Sequence, residues 1–167
     1  MVQAALRLTE GACFSEIEQR MPRRYFTLEE AGALLPRLSA ILRRSVQLHQ
    51  LLRARAERLA EAGYEVSEAL LAGEEPRRIP PGTTALLGEA RGLYESIIDE
   101  AAQVRALGAD LKGADLVDFW SWVDGQREVL LCWKLGEPEI AWFHTAEAGF
   151  AGRQPVAGHS FTKQQGS

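Results

Sequence analysis

The sequence predicts an α+β domain: a long antiparallel helical hairpin packed with a three-stranded antiparallel β-meander. Two observations predict it. Up to Gly108, apolar residues recur at helical spacing in two separate blocks. The period then changes. "LVDFWSWVDGQREVLLCWKLGEPEIAWFHT" is rich in aromatic and β-branched residues and is broken by Asp124-Gly125 and by Gly136-Glu137-Pro138.

The first helix is announced by Thr27 and Glu30, which have the spacing of a capping box, with Phe26 placed as an apolar staple. It is expected to start at Leu28 and to run on Leu34, Leu38, Ile41, Leu48, Leu52 and Leu59 until Gly63. Pro36 has no N–H to donate and crowds the preceding turn, which predicts a kink near Gly32–Leu35. "VSEALLAGEEPRRIPPG", Val66–Gly82, reads as a connecting loop with room for one helical turn. A second helix is expected from Thr83 or Thr84 to Leu107, with its stripe on Leu86, Ala90, Leu93, Ile97, Ala101 and Val104. Neither stripe can be left in water, so the two helices are expected to pack together. Three strands follow, at about 116–123, 126–134 and 139–144.

Residues 1–20 hold no sustained period and are expected to form a poorly ordered extension ahead of a single domain spanning 21–156. Residues 157–167 are small and polar and are expected to be a disordered tail.

Composition sets limits on function. Charged residues make up 25% and the net charge is −4, which argues against nucleic acid as a partner, because phosphate binding needs surplus Lys and Arg. No apolar run approaches the ~20 residues of a membrane span, so no membrane partner is expected. The two cysteines, Cys13 and Cys132, lie far apart and make no disulfide framework or paired metal motif. A cytoplasmic location is the default expectation.

A two-residue turn at Asp124-Gly125 sets Asp118 opposite Leu131, and a turn at Gly136-Glu137 carries that row to Trp142. The same register sets His144 opposite Val129, in a row with Trp120. One sheet face then holds Asp118, Trp120, Trp122, Trp133, Trp142 and His144, while Cys132 falls on the other. Both faces are apolar, which leaves one to be covered by the C-terminal segment or a partner chain. Cys132 is therefore expected to be buried and inert, and a zinc site is not expected, because Cys132 and His144 point to opposite faces. His49 is expected on a helix flank, and the arginines of "ILRRSVQLHQLLRARAER" on a solvated face.

"YFTLEEAGALLPRL" and "LVDFWSWVDGQREVLLCWKLGEPEIAWFHTAEAGFAGRQPV" together resemble a bacterial family catalogued as domain of unknown function 2203, over roughly Tyr25 to Val156. The chain departs from the family in carrying Trp120 where Pro tends to follow "VDF", and in a longer Val66–Gly82 segment. The resemblance implies a small prokaryotic protein with no assigned activity, and it supplies no catalytic residues.

The leading functional expectation is a non-enzymatic module that self-associates as a homo-oligomer or binds a protein partner, with no cofactor. The alternative is a small-molecule or metal-dependent site on the Trp-rich face. Its candidate binding residues are Asp118, Trp120, Glu137, Trp142, His144 and Arg153, because aromatic walls with a few convergent polar groups are what ligand pockets use.

Overall fold

Thr27 opens the first helix in a computed structural model that describes residues 22–166. Its hydroxyl accepts from the Glu30 N–H at 3.1 Å, and the Glu30 carboxylate accepts from the Thr27 N–H at 3.2 Å. This reciprocal cap opens α1, Leu28–Ala33. The kink expected before Pro36 is a full break at Leu34, after which α2 runs Leu35–Glu61. Pro36 thereby sits in the first turn of a new helix, where a missing N–H leaves no ladder bond unmade.

The Val66–Gly82 connection contains one helical turn, α3, Glu68–Leu71, capped by the Ser67 hydroxyl. Arg91 fastens the loop by donating to the carbonyls of Leu70 and Glu74 at 2.9 and 2.7 Å. The last helix, α4, spans Thr84–Ala106. It packs against α2, where Arg44 pairs with Glu100 at 2.5 Å and Arg55 with Glu89 at 2.6 Å. Later residues of one helix thus meet earlier residues of the other. Leu52, Leu59, Leu71, Ala90, Tyr94 and Ile97 form a separate apolar cluster at this end.

Among the described residues, the expected three strands are part of a larger antiparallel sheet of six. They are β1 (Asp110–Lys112), β2 (Leu116–Val123), β3 (Arg127–Lys134), β4 (Trp142–His144), β5 (Gln154–Pro155) and β6 (Phe161–Thr162). The order is β1-β2-β3-β4-β5, with β6 on β2 beyond the end of β1. Between β1 and β6, Tyr25 bridges Trp120, the Phe26 N–H donates to the Trp120 carbonyl at 2.9 Å, and the Ser121 hydroxyl donates to the Phe26 carbonyl at 2.7 Å. Three short segments thus cover the outer edge of β2 and satisfy its backbone.

The register differs by one residue from the sequence expectation. Asp118 pairs with Cys132, and Cys132 with Trp142; Trp120 pairs with Leu130, and Leu130 with His144. The loop of the first hairpin holds three residues, Asp124–Gln126, with φ of 52° at Asp124 and 67° at Gly125, and it closes with a bond from the Gln126 N–H to the Val123 carbonyl. A slip of one residue transfers a whole strand's side chains to the other face. Val117, Phe119, Val129, Leu131, Trp133 and Phe143 therefore share the face packed on α2 and α4, with Phe26, Leu38, Leu42 and Val104. Trp133 is in that core, 2% exposed, and not on the Trp-rich face.

The expected extension at residues 1–20 lies outside the described residues. The segment expected to be a disordered tail carries β6, and Phe161 is buried in the sheet core. Asp124 holds this segment by accepting from the Ser160 N–H at 2.8 Å and pairing with His159 at 2.7 Å.

Candidate functional site

The corrected register places three chemically different donors on one face of adjacent strands. β2 supplies Asp118, β3 supplies Cys132 and β4 supplies His144. Cys132 was expected on the opposite face. It is instead the direct cross-strand partner of Asp118, on the face that also carries His144, so opposed faces do not stand against a metal site. The three side chains offer one ligand atom each, all within 4.8 Å of one another, and all three residues are buried.

His144 is oriented from both sides. Its Nδ1 lies 2.8 Å from the Thr145 carbonyl, which can only accept, so Nδ1 carries hydrogen. Nε2 is then the atom turned to the cluster, 3.3 Å from Asp118 Oδ1. The hydrogen bond to Asp118 is the main cause that raises the His144 pKa above its ordinary value, against the lowering effect of burial. The Cys132 thiol is pushed up to about 12, first by burial and then by the nearby Asp118 carboxylate. Without an ion the cluster therefore holds a protonated thiol and favours a protonated imidazole.

This order of groups does not suit nucleophilic catalysis. A thiol nucleophile needs the imidazole beside it and the carboxylate behind the imidazole. Here Asp118 stands beside both Cys132 and His144, and the remaining imidazole nitrogen is held by a backbone carbonyl.

The arrangement does suit metal ligation. A carboxylate, a thiol and an imidazole are the donor types that zinc takes, and an imidazole whose second nitrogen donates to a backbone carbonyl is the usual outer-shell support for a metal-ligating histidine. Among the described residues no other His, Cys, Asp or Glu joins this group. Three protein ligands leave a fourth tetrahedral position open.

The other candidate residues divide into two groups. Glu137, Trp142 and Arg153 lie on the β4–β5 side. One Arg153 nitrogen donates to both Glu137 carboxylate oxygens at 2.7 and 2.8 Å, and the guanidinium lies 5.4 Å from the Trp142 ring centre and 4.7 Å from that of Phe150. Glu137 is not a free group projecting from its turn. It also accepts from the Lys134 N–H at 2.8 Å, and its carbonyl accepts from Trp133 Nε1 at 3.0 Å. Gly136, with φ of 102°, gives the turn the left-handed step that this closure requires.

Trp120 stands apart from them. Arg23 stacks 4.1 Å above its ring, and Glu128 accepts from Arg23 and from the Tyr25 hydroxyl. With Arg127, Glu128, Thr145, Ala146 and Glu147 it lines a cleft of about 360 Å³. His49 is elsewhere, on α2, with Nδ1 2.8 Å from the Ser45 carbonyl.

Cys132 is the site residue that sequence reasoning left out. The signal that could have found it is the apolar pattern itself. Only the observed register gathers Val117, Phe119, Val129, Leu131, Trp133 and Phe143 on one face and brings Cys132 onto the other with Asp118 and His144.

No helix among the described residues is long and apolar enough to cross a membrane. No curated protein and no solved structure matches this chain. The family model described as an uncharacterized conserved protein, DUF2203, matches residues 24–156, so it takes in α1 to β5 and all three residues of the buried cluster. The chain belongs to the DUF2203 family.

Proposed function

We propose that this protein binds a divalent transition-metal ion, zinc by ligand type, through Asp118, Cys132 and His144, and holds it with one coordination position open. The carrying observation is the buried convergence of three different donors on three neighbouring strands. A buried polar cluster with no ion is an expensive way to build a sheet, since apolar residues of like volume are often as stabilising or more so. An ion gives the burial a purpose.

Proton exchange supports the same reading. Where His144 is protonated, a divalent ion displaces the thiol proton and the proton on His144 Nε2, so two positive charges replace two positive charges. The net charge of the buried cluster does not change, and no uncompensated charge is left in the core. Tetrahedral zinc bonds of about 2.0–2.3 Å imply donor separations of roughly 3.3–3.6 Å, so the three atoms need only a small contraction from their limit of 4.8 Å.

The self-association expected from sequence drew part of its support from Trp133 sharing an open face with Trp120 and Trp142. Trp133 lies in the core, and that part no longer counts towards it. Native mass spectrometry after incubation with zinc tests the metal reading. One ion per chain, absent in Cys132→Ala, is the expected result. Equal zinc retention by wild type and Cys132→Ala would count against it.

A further inference from the structure

We infer that Arg153 is the oxyanion-recognising group of this site, and that the ligand meant for the ion's open position is a small carboxylate or phosphate. The inference rests on the metal reading above and names the ligand class that reading leaves open.

Arg153 is only partly satisfied. Its terminal nitrogen is spent on Glu137, but Nε is buried and has no hydrogen-bond partner among the described residues. A buried guanidinium N–H with nothing to donate to is rare, and it asks for an acceptor. Carboxylates and phosphates present oxygen pairs whose geometry matches a guanidinium edge.

The position of Arg153 agrees with this role. The guanidinium lies over Trp142, and Trp142 is the direct cross-strand partner of Cys132. The donor is therefore next to the ligand cluster, on the same face. Phe150 also lies beside it, and both rings are partly exposed, Trp142 at 37% and Phe150 at 47%. Glu137 fixes the guanidinium in place and balances its charge.

An ion held by one carboxylate, one thiolate and one neutral imidazole is already neutral. A ligand in the fourth position that is itself anionic needs a further donor, and Arg153 Nε is the unfilled donor on this side. One oxygen would take the ion and the second would take Nε–H.

Cobalt(II)-loaded protein tests this, because its visible spectrum reports the coordination sphere. Wild type, Arg153→Gln and Arg153→Lys are loaded with cobalt(II) and titrated separately with acetate and with inorganic phosphate. The expected result is a saturable spectral change with at least one of the two anions, and the one that acts assigns the class. Arg153→Gln should keep its cobalt(II) and bind that anion at least tenfold more weakly. Arg153→Lys, which keeps the charge, should lose less. Cobalt(II) uptake with a wild-type spectrum indifferent to both anions overturns this inference alone. So do variants that titrate like wild type. Failure of wild type to take up cobalt(II) overturns the metal reading and this inference with it.

Discussion

Asp118 and Cys132 are direct cross-strand partners on β2 and β3, and His144 Nε2 lies 3.3 Å from the same Asp118 carboxylate. A carboxylate between a thiol and an imidazole raises the proton affinity of both. The cluster is therefore a proton store when empty and a ligand set when those protons leave.

Metal affinity should rise with pH in a defined way. Below the raised pKa of His144, binding displaces two protons, so log affinity should climb by about two per pH unit. Above it only the thiol proton is displaced, because Cys132 stays protonated up to about 12, and the slope should fall to about one. Isothermal titration with zinc at several pH values, in buffers of different ionisation enthalpy, measures this. A flat profile would exclude the thiol as a ligand.

The metal-free protein should lose stability as pH rises. His144 has a raised pKa when folded, so its bond to Asp118 stabilises fully below the unfolded value near 6.5 and is lost as pH passes the folded value. Cys132 adds a second decline. The unfolded thiol ionises from about 9.0 while the buried one waits until about 12. Urea melts across pH should show His144→Gln without the first loss and Cys132→Ala without the second.

Trp133 and Trp142 should respond very differently to truncation. Trp133 is buried on the core face, so Trp133→Ala should destabilise by about 3–5 kcal/mol. Trp142 is over a third exposed and lies on the opposite face, so Trp142→Ala should cost about 1–2 kcal/mol, in keeping with the smaller area it buries. Denaturant midpoints decide the matter. Equal losses would contradict the register.

Gly108 offers a further check on how the N-terminal segment meets α4. Its φ is 88°, and an added Cβ would come 2.6 Å from Arg24 Cδ and 3.0 Å from the Phe26 ring. Gly108→Ala should destabilise by about 1–3 kcal/mol, because a left-handed position and a crowded one coincide. Thermal melting of the variant reads this directly.

The sequence disclosed the local devices well. The Thr27–Glu30 cap, the disturbance of the helix ahead of Pro36 and the places of the two turns are set by residues close in the chain and were legible, although a kink was expected where the helix divides. What failed was a distance of one residue. Asp-Gly was read as a two-residue loop, but Gln126 completes a loop of three. That single step placed Cys132 and Trp133 on each other's faces. The strands β1, β5 and β6 were not legible because two or three residues carry no period, and they pair only where β2 or β4 already offers an edge. Of the candidate residues, Asp118 with His144 and Glu137 with Arg153 do meet, whereas Trp120 lines a separate cleft.

The central claim is that Asp118, Cys132 and His144 hold one ion together, and X-ray absorption at the zinc edge of the zinc-loaded protein tests it most directly. The account predicts one sulfur at about 2.3 Å and the remaining neighbours, nitrogen or oxygen, at about 2.0–2.2 Å, with the sulfur shell lost in Cys132→Ser. A zinc shell made only of nitrogen and oxygen in the wild type would contradict it.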